Sequence, residues 1–515
     1  MQLVLLGTAV TFDDDRRVVK NGAVYISGDA IEAIQPEASA APAGYSKARR
    51  VRTDGFVYPG LIDLHSHLAY NFLPLWSAPR EEPYDNRYTW ANPDTTYGRD
   101  VGRPSEAMGI AAAAAALRYA EVKAIVGGVT AIQGSPPTTR PFPGWMVRNI
   151  EKEKLATQPA KQAIYQSVIP KTADDLKVAA GRMRVGSAYI YHLAEGTSAQ
   201  MRAEYELLAR NQCAQEGLIG IHCTALEDAD YAAWNQKAEG EGTVVWSPFS
   251  NIWLYGETTD VLAARKHMRV CLGSDWSPSG TRNLLGELKV ADLWNSAELA
   301  RALSPLELCE MATREPGLAL EPPWGRAVGR LEPGALADVA VISGTVTDPY
   351  KSLLAANERN VRLVIVGGEP AYGVGSIMKQ AGVTGEAITV AGVARRVRTR
   401  LPAERLPDEP DLRAAANLSW KQGRARMEAV RKDPAGEVKK ARKKRSFGVK
   451  PLEFIPDMPG YTPEGKVRTR RLDDDELDNL VIPPIEPLAH DKAWFDAIDR
   501  GHPHAALLRQ LRKKF

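Results

Sequence analysis

PGLIDLHSHLAY, residues 59–70, is the stretch on which the reading of this chain turns. Leu61, Ile62 and Leu64 make it apolar enough for a buried strand. In extended backbone, residues two apart face the same way, so His65 and His67 project together and Asp63 shares their face. Buried imidazoles need partners. Two of them side by side at a strand end make half of a metal site, the alternative being a hydrogen-bonded pair without metal.

Outward from that strand, residues 59–327 alternate apolar strand-like pieces with helical ones. VTAIQG, SAYIYHLAEG, GLIGIHCT, GTVVWSP and RVCLGSD are interleaved with SEAMGIAAAAAALRYAEVKAIV and AQMRAEYELLARNQCAQEG. Such alternation predicts βα units around a parallel sheet. The span of 269 residues is close to the roughly 250 of a (β/α)8 barrel. Residues 1–58 and 328–400 read instead as short strands broken by Gly, Asp and Pro, and predict a split β-sandwich lobe built from both flanks. The expected organisation is therefore α/β, with a composite lobe (1–58 and 328–400), a barrel (59–327) and a charged C-terminal extension (401–515).

Composition narrows the class of protein. Hydrophobic residues make up 44% and charged residues 25% of 515 residues, which excludes collagen-like, disordered and coiled-coil chains. The net charge of +3 gives no sign of a polyanionic partner. The four cysteines form no CxxC pair, which points to a reducing, cytoplasmic setting rather than a disulfide framework. No apolar run approaches the roughly twenty residues of a membrane helix. Residues 431–450 hold nine Lys/Arg against two Asp/Glu. Without interleaved aromatic residues, that run reads as a solvated surface segment rather than a nucleic-acid or membrane patch. The expected partner is a small-molecule substrate, with no membrane and no nucleic acid, in a homo-oligomer. The segment AALLRQLRKKF predicts a final helix.

Three further groups end strand-like text. His192 closes SAYIYHLAEG, His222 closes GLIGIHCT thirty residues on, and Asp275 closes RVCLGSDW. Glu195, three residues after His192, falls in the loop above if the strand ends at His192. In a barrel, chemistry sits at the C-terminal strand ends. Nitrogen and oxygen donors without thiolate suit zinc or iron(II) with a position left for water.

With these motifs in order, the chain resembles the amidohydrolase superfamily of metal-dependent hydrolases, in the branch of cytosine deaminase and the chlorotriazine hydrolases. The resemblance covers residues 1 to about 375. It rests on GFVYPGLIDLHSH for the first strand, HLAE for the fifth, GIHCTAL for the sixth and LGSDW for the eighth, supported by SPFSN, SPLELCEMATREPGLAL and VGRLEPGALADVAVI. It implies one divalent metal per chain, zinc or iron(II), held by His65, His67, His192 and Asp275. It further implies that His222 ligates or hydrogen-bonds the attacking water and that Glu195 and Asp275 move protons. The implied reaction is hydrolysis of a C–N bond: deamination of a heterocyclic amine, or opening of an amide or lactam.

The chain departs from that pattern where WSPSG follows Asp275, in the 125 residues between His67 and His192, and in the extension beyond 400. A second branch of the superfamily bridges two metals with a carboxylated lysine, for which Lys161 and Lys171 are the candidates here. A silent scaffold and a nucleic-acid binder are the readings from other classes. The loop after the first strand holds Trp76, Arg80, Tyr84, Arg87, Tyr88 and Trp90. Loops at this end of a barrel shape the pocket, so Trp76, Arg80 and Trp276 are expected to contact substrate.

Overall fold

The computed structural model describes residues 1–76, 82–142, 144–159, 162–239, 242–401, 403–446, 450–458, 460–468 and 472–515. Both flanks enter one nine-stranded sheet. Its N-terminal strands are β1 (Gln2–Val10), β2 (Val18–Ser27), β3 (Ala30–Pro36) and β4 (Arg49–Pro59). GAVYISGDAIEAI, read as one run, splits into β2 and β3 at Gly28, whose positive φ of 58° makes the hairpin turn.

Eight short strands follow: β5 (Leu61–Asp63), β6 (Val129–Ile132), β7 (Arg148–Asn149), β8 (Ile164–Ser167), β9 (Ala188–Leu193), β10 (Leu218–His222), β11 (Thr243–Trp246) and β12 (Arg269–Leu272). They pair in parallel as two sheets, one of three strands (β5–β6–β7) and one of five (β8 to β12). Beyond the strand ends, a parallel bridge joins Ser66 to Asp275. β9, β10 and β11 are wholly buried and largely apolar, as parallel strands covered on both faces must be. HLAE, GIHCTAL and LGSDW lie at or just beyond the ends of the fifth, sixth and eighth of these strands in chain order.

The chain then returns to the first sheet through β13 (Val339–Ile342), β14 (Val361–Val366), β15 (Glu369–Gly373), β16 (Glu386–Val390) and β17 (Val393–Val397). β13 pairs antiparallel with β4, setting Val341 opposite Val57. Val57, Val339, Val341, Leu363 and Ile365 share one buried cluster. One residue, Gly60, hands the chain from β4 to β5. A Cβ there would lie 2.0 Å from the Thr130 hydroxyl, so only glycine lets β5 enter beside β6.

The extension packs against the 24-residue helix Arg103–Val126. Trp420 stacks on Tyr119 with ring centroids 5.8 Å apart, and Arg426 donates to the carbonyl of Ala111. The basic run lies mainly in the helix Pro434–Ser446. This helix buries Pro434, Glu437, Val438 and Ala441 and turns Lys439, Lys440, Lys443 and Lys444 outward. Several of the charges are matched within the extension, among them Lys439 by Asp478, Arg442 by Asp474 and Arg445 by Glu453. The solvated segment expected from composition is thus one face of a packed helix. The final helix is present as a 3-10 segment over Pro503–Lys513. Among the described residues, no helix is long and apolar enough to cross a membrane.

Candidate metal centre

The ends of β5, β9, β10 and β12 bring five side chains to one point. The Nε2 atoms of His65, His67 and His192 form a near-equilateral triangle, with edges of 3.3, 3.2 and 3.2 Å. The Oδ1 atom of Asp275 lies 3.3 Å from His65 Nε2 and 3.5 Å from His67 Nε2. His222 joins His65 and His192 in a second triad whose donor atoms all lie within 4.8 Å. All five are buried.

Two of the five sit on strained backbone. His222 and Asp275 take φ of 67° and 56°, a left-handed conformation that costs a residue with a side chain on the order of 1–3 kcal/mol. Hydrogen bonds hold them there. Asp275 N donates to the His65 carbonyl at 2.8 Å, and Thr259 Oγ1 donates to the His222 carbonyl at 2.6 Å. Asp63 does not add a donor to the cluster, although its position two residues before His65 suggested a shared face. β5 ends at Asp63, and its carboxylate accepts from Ser274 N and Ser274 Oγ instead. It thereby ties the strand end bearing His65 to the one bearing Asp275.

The outward ring nitrogens decide which way the imidazole lone pairs face. His67 Nδ1 meets Asp457 Oδ2 at 2.8 Å, and His222 Nδ1 meets Asn251 Oδ1 at 2.8 Å. The Asn251 amide nitrogen is committed to Thr258 and Thr259, so its oxygen faces the imidazole. His192 bonds the backbone of Ser167, and His65 Nδ1 bonds Ser247 Oγ at 2.8 Å. Where the partner only accepts, Nδ1 carries the proton and Nε2 presents its lone pair inward. The three Nε2 atoms stand 3.2–3.3 Å apart. Nitrogens about 2.0–2.1 Å from a tetrahedral zinc stand about 3.3–3.4 Å from one another. The donor set therefore fits a divalent ion. Burial and the neighbouring imidazoles hold His65 and His192 well below the usual imidazole range, whereas His67, against the effect of its burial, is raised by the Asp457 carboxylate. Burial raises Asp275.

Glu195 stands beside the cluster, with Oε1 3.7 Å from His222 Nε2. Tyr255 donates to Oε1 at 2.6 Å and itself accepts from Trp90 Nε1. Oε2 is buried without a hydrogen-bond partner, and Arg87 Nη1 lies 3.8 Å away. Arg87 is fully buried and also donates to the His192 carbonyl and to Glu204.

Trp276 places its ring 6.0 Å from that of His67 and 5.6 Å from that of Trp90. Trp76 lies 6.2 Å from Trp90 and lines a cavity of about 1070 Å³ together with Arg99, Arg103 and Arg500. An aromatic path thus runs from that cavity to the cluster. Arg80 and Lys161 lie outside the described residues. Lys171 is half-buried beyond the end of β8, its backbone N donating to the Tyr191 hydroxyl. β8 itself reads Ile-Tyr-Gln-Ser and carries no lysine.

Five contributors to the site escape a reading of the sequence. Ser247 and Asn251 fall inside SPFSN, a stretch that could have pointed to them. Arg87 lies in the loop expected to shape the pocket, but its bonds to the His192 carbonyl and Glu204 were not foreseen; Tyr255 and Asp457 carry no local signal.

No family model matches the chain, and no curated protein sequence matches it. Solved structures do. A zinc complex of atrazine chlorohydrolase from Arthrobacter aurescens is 18% identical, with a TM-score of 0.53 over 72% of this chain and 95% of that one. A zinc-bound adenosine deaminase from Xanthomonas campestris is 17% identical, with a TM-score of 0.55 over 83% and 99%. Guanine deaminase from Bradyrhizobium japonicum is 16% identical, with a TM-score of 0.50 over 72% and 99%. The likeness is one of fold, and these structures represent the chlorotriazine-hydrolase and deaminase branches of the amidohydrolase superfamily.

Proposed function

We propose that this chain is a member of the amidohydrolase superfamily that hydrolyses a C–N bond in a small cyclic or amide substrate. The observation that carries the reading is the triangle of inward Nε2 atoms closed by Asp275. In this reading the two parallel sheets are arcs of one (β/α)8 barrel, joined past the strand ends by the bridge between Ser66 and Asp275. The flanking sheet forms its own lobe. One divalent ion per chain, zinc first and iron(II) second, would be held by His65, His67, His192 and Asp275. When bound, such an ion acidifies water and polarises the bond under attack.

The chain's own residues supply the rest. His222 orients the attacking water through Nε2, because its Nδ1 proton is committed to Asn251. Asp275 takes the proton from that water. Glu195 enters this step protonated, gives its proton to the leaving nitrogen, and is reprotonated by the proton that Asp275 has taken. Breaking the C–N bond then releases an amine or ammonia. Arg87 holds Glu195 and the His192 strand end in register. Trp76, at the cavity, and Trp276, beside His67, are the aromatic side chains taken to contact a planar substrate.

Metal analysis with an ammonia-release screen over purines, pyrimidines, triazines and amino-amides tests the proposal. About one equivalent of zinc or iron and turnover of at least one compound are expected. Asp275→Asn should lose rate and metal affinity together. Active protein without metal would sink the reading. Two equivalents with a modified lysine would move it to the two-metal branch.

A further inference from the structure

We infer that Asp457, from the C-terminal extension, is the positioning residue for His67, so that the metal centre is assembled from both halves of the chain. The inference rests on the metal reading above and concerns a residue outside every motif that supports it.

The geometry is specific. Asp457 Oδ2 lies 2.8 Å from His67 Nδ1, on the side of the ring away from the cluster. The carboxylate cannot reach anything held at the cluster except through the imidazole. A carboxylate in that place fixes the ring's tautomer and orientation and makes Nε2 a stronger donor. His192, by contrast, bonds a backbone carbonyl, His222 an amide oxygen and His65 a hydroxyl. His67 alone of the four has a carboxylate as its outward partner.

Anchoring the extension does not need Asp457. The segment around it is seated by other bonds: Thr139 N donates to the Glu453 carbonyl, Ile455 N to Pro137 and Tyr461 N to Ala91. Tyr70 and Tyr97 both donate to the Met458 carbonyl. Among the described residues Asp457 makes one hydrogen bond, and its Oδ1 is buried without a partner. A buried, half-satisfied carboxylate opposes folding. The bond to His67 is therefore what the arrangement gains from an aspartate at this position.

The test uses the full chain and Zn²⁺ alone, with affinity measured by chelator competition and ligand geometry by the visible spectrum of the Co²⁺ form. Asp457→Ala should lower zinc affinity 10–100-fold and shift the Co²⁺ bands. Asp457→Asn, which keeps an acceptor for Nδ1 but not the charge, should fall in between. Melting of the metal-free variants should match or exceed wild type, which a merely structural residue would not allow. Affinity within twofold of wild type in Asp457→Ala would overturn the inference, as would a metal-free form that melts well below wild type. If neither variant folds, the zinc-loaded wild-type chain decides. A slowly exchanging downfield Nδ1 proton on His67 supports the pairing, and its absence overturns it. A wild-type chain that takes up no metal removes the metal reading itself, whereas normal zinc binding in Asp457→Ala removes only this inference.

Discussion

Tyr255 donates its hydroxyl proton to Glu195 Oε1 at 2.6 Å, while Glu195 Oε2 lies buried with no hydrogen-bond partner. One oxygen of the carboxylate is thus fixed, and Arg87 Nη1 stands 3.8 Å from the other. The fixing residue ends the helix Pro248–Tyr255 that also supplies Asn251 behind His222.

Glu195→Gln is accordingly expected to keep its metal and to lower kcat by a factor of roughly 10²–10⁴, the usual worth of a positioned proton donor. Tyr255→Phe should retain the carboxylate but let it rotate, giving a smaller loss and a displaced acid limb in the rate profile. Metal content and kcat against pH check both. Wild-type turnover in Glu195→Gln would move proton delivery to another group.

Gly109 faces the extension from inside the helix Arg103–Val126. Replacing an interior helical glycine with alanine ordinarily stabilises by about 1 kcal/mol. Here the new Cβ would fall 2.6 Å from the Phe454 carbonyl and 2.7 Å from its ring, and overpacking of that kind costs about 1–3 kcal/mol. Gly109→Ala should therefore melt lower than wild type and, by lifting the segment that carries Asp457, bind zinc more weakly. A higher melting temperature would show that the helix gain wins.

Glu486 bridges two buried cations, Lys123 at 2.9 Å and Arg282 at 2.7 Å. Lys123 also donates to Ser277, next to Trp276. Glu486→Gln leaves Lys123 buried without its counter-charge, while Arg282 keeps Asp491 at 3.1 Å; stranding one buried charge costs about 3–5 kcal/mol. The double change Glu486→Leu with Lys123→Met should recover part of it. Calorimetry of the three variants measures the difference.

Glu121 is buried on the same helix, accepting from Met146 N and Val147 N. Burial pushes its carboxyl up from 4.5 to about 7. Its folded value lies above its unfolded one, so its contribution to stability is full below pH 4.5 and is lost as pH rises to about 7. At about 1.4 kcal/mol per pH unit, the loss is on the order of 3 kcal/mol. Glu121→Gln cannot ionise and should melt higher than wild type at pH 8, with little difference near pH 4.5. Parallel melting curves across that range would mean that the carboxyl ionises normally in the fold.

The amino-acid sequence by itself determined the parts of this protein that repeat or cluster locally. Apolar strand text closed by His65, His67, His192, His222 and Asp275 is legible because strand burial and strand ends leave a periodic, short-range mark. The helix Arg103–Val126 was equally plain. β7 was not, being two polar residues whose pairing with β6 comes from their neighbours. Only the tertiary structure decided that Asp63 holds Ser274 rather than joining the cluster, and that the basic run covers a helix instead of floating free. It alone brought Asp457 to His67 across 390 residues, Tyr255 to Glu195 and Arg87 to the His192 carbonyl. These are single polar residues whose roles come from one hydrogen bond each. A hydrogen bond acts over about 3 Å, and residues far apart in sequence reach that separation only after the whole core has packed.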